Sequence, residues 1–379
     1  MPASYDLAVV GAGIVGLAHA LAAARRGKRV VVIDRDARAN GASIRNFGFV
    51  TVTGQERGDT WRRAMRSRDV WMEVAPKAGI AVVHQGLAVI GRRPETVPVL
   101  EAFMATEMGE GCELLSAAMV RERFHMLQPG AVSAGLWSPH DRRVESREAI
   151  PRLAAWLGEA HGVAFRRQAQ VLAVEPPRIE TTAGPIEAEA AVVCPGDDLL
   201  TLFPERIAAH GVRKCKLHML RLAPPTPGWR LPGSVMTDLS LVRYAGYAAL
   251  PEAAALRARL GQEQAAHLDN GVHLIVVQSA DGSLVVGDSH HYGETPDPFA
   301  PQAVDDLILS EYRATIAPGP PTVLERWTGV YASAGEVMFC DKPSDAVRLV
   351  IVTSGTGAST AFAIGEETIA DLYGAGGLS

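Results

Sequence analysis

The chain has 379 residues, 47% of them hydrophobic and 21% charged, with a formal net charge of −5. That length exceeds one simple core and predicts two closely packed domains, while the acidic balance excludes the broad basic field that draws in nucleic acid or an anionic membrane surface. Cys112, Cys194, Cys215 and Cys340 form no C-x-x-C pair and no zinc spacing with histidine, so free thiols in a reducing cytoplasm are expected.

The residues from Leu7 to Ala24 carry no charge, which raises the question of a membrane anchor or secretory leader. Neither is expected, because Gly11, Gly13 and Gly16 interrupt the run and no basic segment stands before it. Leu7–Val10 instead predicts a buried parallel strand, Gly11-Ala12-Gly13-Ile14-Val15-Gly16 a tight turn, and the alanine-rich stretch through Arg26 a helix. Each glycine has a task. Gly11 permits the turn, Gly13 lets a pyrophosphate approach the backbone, and Gly16 lets helix and strand pack closely. The helix start offers unpaired N–H groups and positive dipole to phosphates. A second strand, Arg29–Ile33, ends in Asp34 and Arg35, roughly 20 residues beyond the first glycine, where a carboxylate grips a ribose 2′-hydroxyl and disfavours the 2′-phosphate of NADP.

The loop Asn40–Gly48 follows, and its Ala42, Ser43, Arg45 and Asn46 offer backbone N–H groups and polar side chains to a long phosphate-bearing ligand. Amphipathic spacing predicts scaffold helices over 60–78, 94–107 and 146–161, and period-two alternation predicts strands at 86–90, 217–222, 272–278 and 283–287. Ala190–Cys194 is an apolar strand running into Pro195-Gly196-Asp197. Near the end, Arg348–Thr353 empties into Ser354-Gly355-Thr356-Gly357-Ala358-Ser359-Thr360 ahead of a helical pattern to Tyr373, a second anion-stabilising helix start. No G-x-S-x-G turn, P-loop or H-E-x-x-H motif occurs. His290 and His291 are strand neighbours pointing to opposite faces, so no metal site is expected there.

With these segments in place the chain resembles, over nearly its whole length, the D-amino-acid oxidase superfamily of flavoproteins, which includes glycine oxidase and sarcosine oxidase. The resemblance implies an α/β plus antiparallel-β fold, a Rossmann-like FAD-binding domain interleaved with an antiparallel-sheet substrate domain. The FAD-binding domain would take 1–82, 144–212 and 320–379, and the substrate domain 83–143 and 213–319. FAD would be held by Gly11–Gly16, Asp34, Arg35, Ala42, Ser43, Arg45, Asn46, Val171 beside the adenine, Cys194–Gly196 over the adenosine, Gly329, and Gly355–Thr360 at the flavin N1–C2=O region. Attachment is expected to be non-covalent, since no cysteine lies around Gly329, where some sarcosine oxidases link their flavin. Hydride would pass from the carbon beside an amine nitrogen to flavin N5, with imine hydrolysis after it and O2 as the electron acceptor.

Arg45, Asn46, His290, Arg326 and Tyr331 are the implied catalytic or substrate-contacting residues, with Arg326 open to a second reading as a plain structural ion pair. Two departures bear on the substrate. Val330-Tyr331 stands where relatives carry a carboxylate-binding arginine, and Ala358 where glycine oxidase carries another. The oxygen-activating lysine of sarcosine oxidases is missing from Leu284–Gly287, leaving His290 as a source of positive charge. The loops 41–48 and 287–293 resemble a clade associated with phosphonate breakdown, which implies an aminophosphonate such as 2-aminoethylphosphonate or its N-methyl or hydroxy relative. The alternatives are a secondary amine or amino acid of sarcosine, glycine or D-amino-acid type, and a non-catalytic flavin-binding subunit. A small anionic amine is thus the expected partner, in the cytoplasm, with no nucleic acid and no membrane.

Overall fold

The computed structural model describes residues 4–127, 130, 132–316 and 319–374. Its first strand, Tyr5–Val10, lies between Val30–Ile33 and Ile186–Val193, parallel to both. Ala164–Arg166 extends this parallel layer on one side and Val347–Ser354 on the other. These strands read as continuous apolar runs because both faces are covered. The helix Ile14–Ala24 and the last helix, Gly357–Tyr373, share one face. Small residues bring the two helices together: a Cβ added at Gly365 would lie 2.9 Å from the Ala18 backbone. Leu7, Val9, Leu17, Leu21, Val30, Val32, Phe362 and Ile369 fill the core between helices and sheet. Truncating one such leucine to alanine removes about 2–5 kcal/mol.

The second layer is mostly antiparallel. Its order runs Glu113–Ser116, Ala134–Val144, Val82–Gly91, Ser234–Thr237, Ile275–Gln278, Leu284–Gly287, Arg213–Leu222 and Val323–Ser344, with a single parallel step between Val82–Gly91 and Ser234–Thr237. Leu87, Val89, Leu100, Phe103, Met236, Tyr247 and Ile275 pack behind it. The long strand Val323–Ser344 belongs to both layers, pairing with Arg213–Leu222 through one half and with Val347–Ser354 through the other. This is the mixed α/β architecture expected from the sequence. That strand joins the two layers, with register shifts between Ser333 and Met338 and between Asp341 and Ser344; the segmentation at 82/83, 143/144, 212/213 and 319/320 is a proposal about two units.

Predicted elements differ from observed ones mainly at their ends. The helix expected over 94–107 spans Thr96–Met104 with a short 3-10 turn after it, and the strand expected over 272–278 begins at Ile275. Helices Ala253–Glu263 and Gln302–Thr315 were not anticipated. No helix among the described residues is long and apolar enough to cross a membrane.

Candidate active site

The glycine turn has the geometry of a phosphate cradle. Gly11 has φ +102°, and a Cβ there would sit 2.4 Å from the Cys194 carbonyl oxygen. One at Gly16 would lie 1.8 Å from the Gly11 carbonyl oxygen, so only hydrogen fits. Asp34 Oδ2 accepts from Ala12 N at 2.6 Å and Oδ1 from Asp36 N at 2.8 Å, while Ser43 Oγ accepts from Ile14 N at 2.9 Å. Gly13, which begins the helix, provides no side-chain cap, so beyond Ile14 the first-turn N–H groups are left for an anion to accept from.

From this turn a cavity of about 430 Å³ runs between the two layers. On its wall lie Gly13, Ile14, Val15, Gly16, Ala42, Ser43, Arg45, Asn46, Cys194, Gly196, Gly329, Tyr331, His290 and Gly355–Ser359. The loop at 42–48 is held open by Asn46, whose Nδ2 donates to Ala42 O at 2.7 Å and whose Oδ1 accepts from Gly48 N at 2.6 Å. Arg45 reaches Asn40 Oδ1 at 3.2 Å, and its carbonyl accepts from Trp327 Nε1 at 3.1 Å. At the far end Ser359 Oγ accepts from Thr51 N at 2.9 Å and Ala358 O from Trp71 Nε1 at 2.8 Å, so the start of the last helix is pinned facing the cavity. A long cleft with two helix starts and glycine-only approaches suits an extended ligand with phosphates at one end and a flat, charge-accumulating head at the other.

Several expected residues stand elsewhere. Gly11, Ala12, Asp34, Arg35, Val171, Pro195 and Thr360 lie off the cavity wall. Arg35 is ion-paired with Asp198 at 2.8 Å, Val171 is buried opposite Thr181, and the Thr360 hydroxyl donates to Thr356 O. Arg326 takes the second of its two readings. It sits five positions from Tyr331 on one strand, hence on the opposite face, and pairs through Nε with Asp305 Oδ2 at 3.0 Å. The structural ion pair is the reading that fits.

Among the wall residues that were missed are Arg243, His273, Asp288 and Tyr292. Arg243 comes from the loop after the short helix Asp238–Leu241 and donates to the Tyr292 hydroxyl at 3.1 Å. A lone arginine in the otherwise uncharged stretch from Leu239 to Leu250 was the one available signal. Asp288 is buried, with Oδ1 3.0 Å from His273 Nε2 and Oδ2 3.7 Å from His290 Nε2. Burial opposes the charge of its carboxyl, and the nearby Arg243 guanidinium works to keep it ionised. Burial dominates at His290, driving it well below 6.5 against the pull of Asp288. His290 and His291 do diverge: His290 Nδ1 bonds Gly271 O at 2.9 Å, whereas His291 Nε2 bonds Asn270 Oδ1 at 3.0 Å. Instead His290 converges with His273 and Asp288, their polar atoms lying within 4.8 Å of one another and close enough to hold a cation. Strand neighbours gave no view of that through-space trio.

Residues 6–372 match the family model DAO, described as FAD dependent oxidoreductase. Over 251 residues the chain is 27% identical to the bifunctional protein ThiO/ThiG of Nostoc sp., a match covering 60% of this chain and 35% of that protein. The chain therefore spans only about a third of the length of that curated relative. Among solved structures, glycine oxidase from Bacillus cereus ATCC 14579 superposes with a TM-score of 0.77 at 16% identity, covering 99% of this chain and 96% of that one. L-proline dehydrogenase from P. horikoshii gives 0.79 at 18% identity, covering 100% and 95%. Both likenesses establish a shared fold.

Proposed function

We propose a function from the premise that the chain belongs to the DAO family and is an FAD-dependent oxidoreductase: it oxidises a small amine that also carries an acid group. When bound, FAD supplies the acceptor for a hydride leaving the carbon beside the amine nitrogen. The residues do the rest. The glycine turn with Ser43 holds the diphosphate, and the N-terminus of the last helix favours negative charge at the cavity's end. Arg243 and the Tyr292 hydroxyl, bonded to each other at 3.1 Å, receive the acid group at the opening.

The observation that carries this reading is Arg243, a cation that joins Arg45 on the wall of the cavity and has the Tyr292 hydroxyl as a hydrogen-bond partner. It supplies the positive charge missing at Tyr331 and Ala358, so a carboxylate of amino-acid or secondary-amine type is the first reading. An aminophosphonate is the second. It is favoured by a guanidinium and a phenol approaching from different directions, which suits a tetrahedral group with three oxygens. In both, FAD is bound non-covalently, O2 is the acceptor and the enzyme works in the cytoplasm.

The test is anaerobic titration of the purified yellow protein with glycine, sarcosine, proline, β-alanine, 2-aminoethylphosphonate and its N-methyl derivative. Amines with an acid group are expected to bleach the flavin, and the ratio of carboxylate to phosphonate reactivity separates the two readings. Bleaching by none of the amines would leave the non-catalytic flavin-binding alternative. Acid precipitation is expected to release the colour into the supernatant.

A further inference from the structure

We infer that His273, Asp288 and His290 form a binding site for a divalent first-row transition metal and, resting on the amine-oxidation reading for this second part, that the ion takes the substrate's acid group beside Arg243. The ring hydrogens decide the donor set. Gly271 O can only accept, so His290 Nδ1 carries the hydrogen of the 2.9 Å bond between them. Ser240 Oγ donates to Leu274 O at 3.4 Å, which leaves it accepting from His273 Nδ1 at 3.1 Å. In both neutral rings Nε2 is then a bare lone pair. Asp288 adds its carboxylate, with Oδ1 3.0 Å from His273 Nε2 and Oδ2 3.7 Å from His290 Nε2. Despite that closeness Oδ1 has no hydrogen-bond partner.

All three side chains are buried, and lone pairs crowded together out of water repel one another unless positive charge lies among them. A water molecule brings only two hydrogens to these four atoms, whereas one divalent ion faces them all. The spacing fits an ion. Ligands about 2.0–2.1 Å from a common tetrahedral ion stand about 3.4 Å apart, and the gaps of 3.0 and 3.7 Å fall either side of that value. One nitrogen of each ring and one carboxylate oxygen lie within 4.8 Å of one another. Two imidazoles with one carboxylate suit zinc and its first-row neighbours rather than magnesium or calcium, which take oxygen ligands. The bonds to Gly271 O and Ser240 Oγ are outer supports of the kind that fix the tautomer and aim of metal-binding histidines. The divergence of His290 from His291 rules out a site built on that pair, not one built across the backbone pairing of His273 with Asp288.

Three protein ligands leave a four-coordinate ion one open position, and all three residues stand on the cavity wall, so that position faces the cavity. A divalent ion with the Asp288 carboxylate and two neutral rings keeps a single net positive charge, and Arg243 on the same wall adds another. An anion is the ligand such a pair draws. The substrate's acid group thus lies between the ion and Arg243, and no substrate bond is broken at the metal.

The experiment takes the purified FAD-bound protein, strips it with a chelator, dialyses the chelator away and titrates Zn2+ against a fluorescent zinc indicator. Wild type is expected to bind one Zn2+ per FAD. Asp288→Asn and His290→Gln should each raise the dissociation constant about 100-fold or more, and Ser240→Ala, which removes only an outer support, about 10-fold to 100-fold. His291→Gln should leave it unchanged. The visible spectrum of bound FAD reports the folding of each variant, and Ser240→Ala carries the test if a ligand variant loses its FAD. Sub-stoichiometric zinc in wild type, or one affinity shared by wild type and these three weakened variants, would overturn the site.

A second titration, followed by flavin absorption, compares acetate, methylphosphonate and methylamine on stripped and zinc-loaded protein. Both anions should bind about tenfold tighter or more with zinc present, and methylamine should not. Anion affinities that zinc leaves unchanged, or an equal tightening of methylamine, would overturn the role given to the ion. Failure of every acid-bearing amine to bleach the flavin, with zinc binding as expected, would instead refute the amine-oxidation reading and leave the metal site standing.

Discussion

Replacing Arg243 with methionine keeps the length of the side chain and deletes its charge. In the structure the guanidinium has one side-chain partner, the Tyr292 hydroxyl at 3.1 Å, and otherwise faces the cavity, so most of what is lost is contact with the ligand. A charge-assisted hydrogen bond contributes about 1.5–3 kcal/mol. The dissociation constant of an amine bearing an acid group should therefore rise about 10-fold to 150-fold. An amine of the same length without the acid group behaves differently. It makes no bond to Arg243 and is repelled by it, so its affinity should hold steady or improve. The assay is anaerobic flavin reduction as a function of amine concentration, run on the paired compounds with both proteins. Equal weakening of the two amines would show that Arg243 supports the cavity's shape rather than binding the acid group, and the functional reading would lose its main support.

Asp34→Ala removes the acceptor that holds Ala12 N at 2.6 Å along with the proposed ribose contact. FAD affinity should fall about 10-fold to 150-fold, read by equilibrium dialysis, and an unchanged value would remove Asp34 from the cofactor site. Glu145 contacts the fully buried Arg143 at 3.0 Å and accepts from Ser279 Oγ at 2.7 Å. Burial opposes its charge, yet Arg143, Ser279 and Arg221 hold its pKa below the ordinary value. A depressed carboxyl pKa stabilises the fold above the unfolded value of about 4.3 and ceases to do so as pH falls through the folded one. Glu145→Gln should therefore cost about 3–5 kcal/mol near neutrality by leaving Arg143 unpaired, and the gap from wild type should shrink below about pH 4. Thermal midpoints across pH check this, and a gap that stays constant into acid would contradict it.

The cofactor end was legible because it is local. Strand, glycine turn and helix follow one another within Tyr5–Ala24, so covalent order already places Gly11, Gly13 and Gly16 beside one another. The substrate end was not, because its wall is gathered from distant loops. Arg243 belongs to no periodic segment, and nothing in its neighbours tells that a short helix will turn it toward residues near 290 and 331. Arg326 illustrates another limit. The strand carrying it was foreseen, but the parity that separates Arg326 from Tyr331 decides which of the two faces the cavity, and the choice of face comes from packing. At His290 the sequence showed the partner that diverges, His291, and hid those that converge. His273 arrives by an antiparallel pairing, with His273 N 3.3 Å from Asp288 O and Asp288 N 3.0 Å from His273 O.

The order of the parallel layer also bears on how the chain is made. Tyr5–Val10 finds Val30–Ile33 soon after it is made, but its other neighbour, Ile186–Val193, is translated about 150 residues later, and Val347–Ser354 about as far again beyond that. At about 5–20 residues per second, an apolar strand edge stays unmatched for tens of seconds. The helix against which Ile14–Ala24 packs is made after all of these, ending at Tyr373, whose hydroxyl donates to the Asp6 carbonyl at 2.8 Å. That edge is therefore expected to need chaperone protection until its partners are made, so that even a short deletion within Gly357–Tyr373 would yield colourless, aggregating protein rather than a weaker enzyme.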